Sequence, residues 1–180
     1  MQSPYSIETH KHNFAVWTAA RAVQRNFTNT NTIALAIETA QLHTEVQRLE
    51  HKEVSVIDFD KWHSEMSNKI LKSLTLKPED KREQYGRAAK IIAIYIKTYH
   101  ILGNPTSSLS EFAHPPVDRI LLAALFKKNK KLTKLNVADT AWTNLTEKDY
   151  FEVIDALRII QHKHELKYFW MIESAWQASN

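Results

Sequence analysis

Residues 85–97 read YGRAAKIIAIYIK and set the architecture of the chain. The segment is apolar on nearly every side, except where its lysines project. A helix that is apolar all round lies inside a protein, not on its surface. We therefore expect this segment to form a central helix against which the remaining elements pack.

The composition predicts that the whole chain is helical. Only two of its 180 residues are glycines, Gly86 and Gly103, whereas β-rich folds use many glycines in their turns. The content of 43% hydrophobic and 24% charged residues is that of an ordinary globular protein. The sequence predicts an all-α fold, a single compact domain over residues 1–180 with about 7–9 helices.

Several classes of protein are disfavoured. The chain has no cysteine, which excludes disulfides, iron–sulfur clusters and thiolate zinc sites. The first residues lack the apolar stretch of a signal peptide, and no run approaches the roughly 20 apolar residues of a membrane span. We expect a cytoplasmic protein with no membrane partner. The net charge of +4 favours a polyanionic binding partner.

Histidine spacing argues against a metal site. Nine histidines occur, but the pairs His10/His12 and His162/His164 stand two residues apart, so each pair points to different sides of a helix. Because coordination needs three or four converging ligands, no metal is predicted.

Apolar periodicity and capping residues place the helices. The predicted ranges are 10–25, 30–43, 58–74, 78–102, 115–127, 146–161 and 164–177. Gly86 divides the fourth of these into a short and a longer helix. Residues 45–56 are predicted to be a loop or a frayed helix, and residues 104–114 a surface loop.

Side-chain patterns add detail to three of these helices. Asp58 is predicted to cap its helix, and Thr146 with Asp149 resembles a capping box. In the first helix one side carries two large aromatic residues and two polar ones. This side consists of Phe14, Trp17, Ala20, Arg21 and Gln24.

Two lysines of the central helix share one side. Lys90 and Lys97 are seven residues apart, so at about 100° per residue they lie within roughly 20° of each other. Gly86 and Ala93 fall on the same strip. Burial beside small residues disfavours the ammonium form and favours a nucleophilic amine. The alternative is that both lysines extend along a wet edge of the helix.

One aspartate follows a turn that two prolines make rigid. Asp118 follows His114-Pro115-Pro116-Val117, which leads into the first turn of the next helix. A carboxylate there can accept backbone N–H bonds and stay ionised, ready to stabilise a cationic sugar transition state or to deprotonate a nucleophile. An ordinary helix cap is the alternative.

These residues resemble the core of helix-hairpin-helix DNA glycosylases. In that superfamily a hairpin of the form G-x-G-x-K leads into a helix, and a Pro/Val-Val-Asp turn supplies the catalytic aspartate. Gly86 matches the first glycine, Lys90 the catalytic lysine and Asp118 the aspartate. The archaeal 8-oxoguanine glycosylase branch is similar in having a degenerate hairpin, a longer loop before the aspartate and a second lysine seven residues on, here Lys97.

The resemblance covers residues 80–122 and has two departures. Ala88 stands at the second hairpin glycine, and Ile94 stands where the archaeal branch has a base-stacking aromatic residue.

The resemblance implies a DNA glycosylase, with or without lyase activity, that flips a damaged or modified base out of duplex DNA in repair or in defence against phage. Asp118 would activate the nucleophile and offset developing sugar charge, while Lys90 attacks C1′, expels the base and forms a Schiff base. Lys97 would tune Lys90 or hold the flipped nucleotide. The enzyme would act as a monomer without a cofactor. The excised base, and which of the two lysines is the nucleophile, stay open.

Other side chains are candidates for contacts with DNA, although aromatic residues at helical spacing are more often core residues. Those expected to stack on the flipped base are Trp17, Trp62, Tyr95, Trp142 and Trp170. Those expected at its polar edge are His12, Arg21 and Gln24. Those expected at the DNA backbone are Gly86, Arg87, Lys127, Lys128, Lys130 and Lys131, of which the lysines could equally form a solvated loop.

A second interpretation has no catalysis. The chain would be a helical module that binds nucleic acid or protein, and Lys90 and Asp118 would form a buried ion pair in its interior.

Overall fold

The computed structural model describes residues 5–74, 84–129 and 141–176. The α-helices in these ranges are α1 Ile7–Val23, α2 Thr30–Thr39, α3 Leu42–Glu50, α4 Val56–Ser73, α5 Tyr85–Ile96, α6 Ser108–Phe112, α7 Arg119–Lys128 and α8 Glu147–Lys163. A π-helical turn at Lys97–Ile101 prolongs α5, and 3-10 helices form at Trp142–Asn144 and Phe169–Ala175. No strand occurs within the three ranges, so the predicted all-α class is confirmed.

The central helix is α5, as predicted. Eleven of its twelve residues are buried, because almost every position carries an apolar or small side chain. α1 packs along α5 more extensively than any other helix does, and α4 is next. In the described part of the chain no helix is both long enough and apolar enough to cross a membrane.

The buried apolar residues form two clusters that meet at α5. The first cluster is built mainly from α1 to α6, and the second mainly from α7, α8 and the 3-10 helix Phe169–Ala175. Ile91, Ile92 and Tyr95 of α5 belong to the first cluster, whereas Tyr85 and Ala89 belong to the second. Packing from both sides therefore fixes the side chains of α5 in place.

The predicted caps are partly right. Thr146 and Asp149 form the capping box of α8, with the Asp149 amide donating to Thr146 Oγ1 at 3.1 Å. Ser55, not Asp58, caps α4: its hydroxyl accepts from the Asp58 amide at 3.2 Å. Because Asp58 lies in the first turn, its carboxylate stabilises the helix through the positive end of the dipole instead.

Several predicted boundaries are wrong. The range 30–43 is not one helix, because Gln41 takes a left-handed conformation (φ 56°, ψ 36°) between α2 and α3. α3 extends to Glu50, so the first part of 45–56 is helical, the second of the two alternatives predicted for this segment. α6 lies inside 104–114, which was predicted to be a surface loop. The proposed helix start at residue 78 lies outside the described residues.

Two further differences concern the ends of helices. α7 begins after Asp118, because Pro115 and Pro116 precede the cap instead of opening the helix. The last helix is of the 3-10 type and starts at Phe169, five residues later than predicted.

The side of α1 that faces the core is not the side that carries the large aromatic residues. Ala15, Ala19 and Val23 are buried, whereas Phe14 and Trp17 are 49% and 57% exposed. Small side chains on the inner side let α1 lie close to α5, which leaves the aromatic residues in solvent.

Candidate functional site

Lys90 and Asp118, 28 residues apart in the sequence, meet in the folded chain. Lys90 lies in the second turn of α5, and its Nζ donates to Asp118 Oδ2 at 3.2 Å. Asp118 is the N-cap of α7, and its other oxygen, Oδ1, accepts from the Leu121 amide at 2.9 Å. One carboxylate oxygen thus fixes the helix start while the other holds the lysine.

The turn before Asp118 is anchored along its length. Pro115, Pro116 and Val117 are buried and lie outside any helix. Proline suits such a segment because it fixes φ and has no N–H to satisfy. At its start His114 is fully buried and hydrogen bonded to Asp60 at 2.9 Å and to Tyr150 at 3.1 Å. The carboxylate of Asp118 is therefore positioned by packing.

Lys90 is only 9% exposed, and two groups compensate its buried charge. One is the carboxylate of Asp118. The other is the indole of Trp142, whose ring centroid lies 4.5 Å from Lys90 Nζ. Such a cation–π contact gains strength where the cation is shielded from water.

The lysine and the aspartate share one cavity of about 240 Å³. The nine lining residues among those that the structure describes come from α1, α5, the turn before α7, α7 and the C-terminal region. They are Ala22, Lys90, Ile94, Lys97, Pro116, Asp118, Leu121, Glu173 and Trp176. Lys90 and Lys97 therefore line the same cavity, although Lys97 begins the π-helical turn.

A second ion pair lines this cavity. Lys97 donates to Glu173, which lies in the 3-10 helix Phe169–Ala175. That helix packs between α6, α7 and α8. Burial raises the pKa of Glu173 above its ordinary value; the hydrogen bond and charge of Lys97 oppose the shift, and the negative charge of Asp118 adds to it.

Glu173 was not among the predicted site residues. Its only signal was a carboxylate on the apolar stripe that includes Phe169 and Trp170. An acidic side chain in such a position needs a buried partner, but the sequence does not say that the partner is Lys97.

A larger cavity of about 410 Å³ adjoins the first. The two cavities share Lys97 and Glu173, so this ion pair forms part of the wall between them. The other lining residues are mostly apolar: Ile101, Leu102, Pro105, Trp170, Met171 and Ser174. Trp170 is held in place because its Nε1 donates to the Pro105 carbonyl at 2.9 Å.

Three of the predicted base contacts lie elsewhere. Tyr95 is fully buried in the first cluster and its hydroxyl is hydrogen bonded to His12 at 2.8 Å. His12 in turn pairs with Glu38 at 2.8 Å. Trp62 is buried against Phe59. These side chains hold helices together and do not line either of the two cavities.

Another three predicted base contacts belong to α1 and its end. Trp17 and Arg21 are exposed on the outer side of this helix, and Gln24 is its C-cap. None of them lines the Lys90 cavity, whose only residue from α1 is Ala22.

Two predicted contacts with the DNA backbone are used internally. Gly86 lies under the Trp142 carbonyl, whose oxygen would be 1.9 Å from a Cβ at this position. Arg87 is buried and donates to the carbonyls of Val23 at 3.1 Å, Arg25 at 3.3 Å and Asn26 at 3.2 Å. Arg87 thereby fixes the turn that follows α1.

The predicted lysine cluster is only partly described. Lys127 is exposed near the end of α7. Lys130, Lys131 and the side chain of Lys128 lie outside the described residues.

Among the residues that the structure describes, no three histidine, aspartate or glutamate side chains are grouped to hold a metal ion. Comparisons with protein-family models, with curated proteins and with solved structures gave no match.

Proposed function

We propose that this chain is a DNA glycosylase, with an associated lyase activity, that excises a modified base through the amine of Lys90. The observation that carries the proposal is the 3.2 Å approach of Lys90 Nζ to Asp118 within a cavity that both residues line. A nucleophile next to a base that is itself held in place is the usual arrangement for covalent catalysis.

The chemistry needs a neutral amine. The proton of the Lys90 ammonium passes to Asp118 Oδ2, its hydrogen-bond partner. The amine then attacks C1′ of the flipped nucleotide while the C1′–N bond to the base breaks, and the bond electrons leave with the base, which takes up a proton. The C1′–O4′ bond of the sugar then breaks and its electrons stay on O4′, which takes up the proton that the attacking nitrogen releases. A protonated Schiff base remains between C1′ and Lys90 Nζ.

Asp118 suits this role because its two oxygens have different partners. Oδ1 accepts the Leu121 amide and keeps the carboxylate oriented while Oδ2 exchanges a proton with Lys90. As the departing base takes this proton from Asp118, the carboxylate becomes ionised again, and its negative charge offsets the positive charge that develops on the sugar.

The volumes suggest how a nucleotide would divide between the two cavities. The Lys90 cavity of about 240 Å³ is smaller than the roughly 300–1,000 Å³ of typical ligand sites, so it suits the sugar. The adjoining cavity of about 410 Å³ has apolar walls and Trp170, which suit a base. Lys97 and Glu173 would lie between the sugar and the base.

The decisive experiment is borohydride trapping with a panel of oligonucleotides that carry modified bases, combined with mass spectrometry of the released base. We expect a covalent adduct with the wild-type protein. Lys90→Gln should lose base release by about three orders of magnitude or more. Lys97→Gln, which removes the other lysine of the same cavity, should still give the borohydride-trapped adduct, because the nucleophile is Lys90.

The second interpretation, a non-catalytic module with a structural ion pair, predicts a different result. Removing one charge of a buried pair costs about 3–5 kcal/mol, whereas removing both can be neutral. The double variant Lys90→Gln/Asp118→Asn should therefore stay folded. Absence of any adduct across the panel with the wild-type protein, together with lost stability in Lys90→Gln that the double variant recovers, would favour the module.

A further inference from the structure

The outer side of α1 carries larger apolar side chains than its inner side. Ile7, Phe14 and Trp17 are 67%, 49% and 57% exposed. At spacings of three and four residues they share one side of the helix with His10 and Arg21. We call these five residues the outer face of α1. A helix that buries alanines and exposes aromatic residues presents a surface for a partner.

The charge of this region limits the choice of partner. Between Glu8 and Glu38 the sequence has no acidic residue, whereas it contains Lys11, Arg21 and Arg25. Both arginines are exposed. Lys11 is paired with Glu8 at 3.0 Å, so the two arginines supply the positive charge that suits a polyanion. It suits a second copy of this chain less well, because a symmetric interface would bring like charges together.

The geometry of the aromatic residues points to flat ligands. The rings of Phe14 and Trp17 are stacked, with centroids 5.8 Å apart and planes at 19° to each other. Aromatic side chains that are exposed beside cations are the elements with which proteins bind unpaired bases: the rings stack on the bases and the cations contact phosphates.

Two chain neighbours of the outer face lie at or near the Lys90 cavity. Ala22, which follows Arg21, lines that cavity. Thr18, which follows Trp17, donates a hydrogen bond to Thr98 at 3.1 Å, next to Lys97. The side of α1 adjacent to the outer face is thus in contact with the walls of the candidate site.

We propose that the outer face of α1 binds the DNA strand next to the flipped nucleotide. Phe14 and Trp17 stack on the bases that lose a stacking neighbour when the nucleotide leaves the duplex. Arg21 and Arg25 contact the flanking phosphates. This inference rests on the proposed function and assigns the outer face to flanking DNA, separate from the excised base.

The test measures DNA affinity in the Lys90→Gln background, so that it does not depend on turnover. The probe is a fluorescently labelled duplex with one central mismatch, followed by anisotropy. Trp17→Ala should weaken binding by about 5- to 150-fold, the effect of losing one base–aromatic stack. Arg21→Gln should reduce the slope of log affinity against log salt by about 1. Ile57→Ala, which removes an apolar side chain that is 79% exposed on α4, is the matched control and should leave binding unchanged.

Three outcomes would overturn the inference. The first is unchanged DNA affinity in Trp17→Ala. The second is a dimer in sedimentation that Trp17→Ala dissociates, because the outer face would then join two copies. The third is binding of Lys90→Gln to vesicles of anionic lipid, but not to the DNA probe, that Trp17→Ala abolishes. Failure of the glycosylase proposal is a separate result: wild-type protein that binds the probe through Trp17 but releases no base from any substrate.

Discussion

Gly86 fits a sequence motif, but in the fold its lack of a side chain allows two backbone segments to pack closely. The sequence motif led to the prediction that Gly86 is a hairpin glycine at the DNA backbone, but in the fold it lets α5 pass beneath the backbone of residues 142–145. The Trp142 carbonyl oxygen would be 1.9 Å from an added Cβ, and the Gly86 amide donates to the Leu145 carbonyl at 3.4 Å. Only a residue without a side chain allows this approach.

We therefore expect Gly86→Ala to lower the free energy of unfolding by about 1–3 kcal/mol, as overpacking usually does. The clash is with backbone, which cannot rotate away as a flexible side chain could. Urea denaturation measures the change. Gly103→Ala is the control, because the nearest atom to a Cβ there is 3.7 Å away. It should cost nothing and could gain up to about 1 kcal/mol through the unfolded chain. Equal stability of both variants would contradict the close contact.

Among the individual site residues, the sequence pointed to Lys90, Lys97 and Asp118 because each breaks a local pattern. Two are cations on an apolar helix, and the third is a carboxylate after two prolines. Glu173 broke its pattern too, but its role depends on a partner 76 residues away. Contacts of that kind have no local signal.

At the level of elements, the break between α2 and α3 depends on one backbone conformation. Gln41 has φ 56° and ψ 36°, a left-handed region in which a side chain costs roughly 1 kcal/mol relative to glycine. Glycine is the usual residue at such helix ends. The absence of glycine explains why the sequence suggested one continuous helix over residues 30–43.

Gln41→Gly should accordingly stabilise the protein by about 0.5–1 kcal/mol, measured by thermal or urea unfolding. The Gln41 side chain is exposed, so little packing is lost. Ala34→Gly, in the middle of α2, is the matched control and should destabilise by about 1 kcal/mol, since its backbone is helical. Destabilisation of similar size in both variants would mean that residue 41 is not left-handed in solution.

In α1, the neighbouring helix decides which side is buried. Large apolar side chains usually lie on the core side of a helix, but Phe14 and Trp17 are exposed. The fold instead buries the alanines, since α1 lies close against α5. Both faces have helical spacing, so only the neighbouring helix distinguishes the inner side from the outer one.

For the whole molecule, a buried polar network ties α4, α5 and α8 together beneath the Asp118 turn. His63 lies between the hydroxyls of Tyr85 and Tyr150, each at 3.4 Å. His114 connects Tyr150 to Asp60, which accepts from Arg158 at 2.6 and 2.8 Å. Both histidines are buried.

Burial lowers the pKa of His63 well below the ordinary histidine value, and the charge of nearby His114 acts in the same direction. Burial likewise lowers the pKa of His114, although Asp60 opposes the shift. The unfolded chain therefore binds protons at a pH at which the folded protein does not. The free energy of unfolding should fall as the pH drops below about 6.5, by up to about 1.4 kcal/mol per pH unit for each histidine.

Urea denaturation between about pH 7 and about pH 5 measures this loss. His63→Gln, which cannot take up the proton, should flatten the dependence, whereas His162→Gln, at an exposed position of α8, should leave it unchanged. Asp60 does not contribute in this window: burial opposes its ionisation, but hydrogen bonds from His114 and Arg158 hold its pKa well below the ordinary value. A flat wild-type profile would be incompatible with two buried neutral histidines.

The helical class, the central position of α5 and the capping box of α8 were determined by the amino-acid sequence alone. These follow from residue type and spacing within one segment: few glycines, an apolar run, and a threonine three residues before an aspartate. Such signals are local and can be recognised without knowing which elements pack together in the fold.

Tertiary packing decided the rest. It turned the alanines of α1 inward, placed Glu173 beside Lys97, and brought Lys90 within 3.2 Å of Asp118. Each of these depends on where a distant helix lies, because the burial of a side chain and the neutralisation of its charge are settled by groups far away in the sequence. Spacing along one helix cannot encode the distance to another.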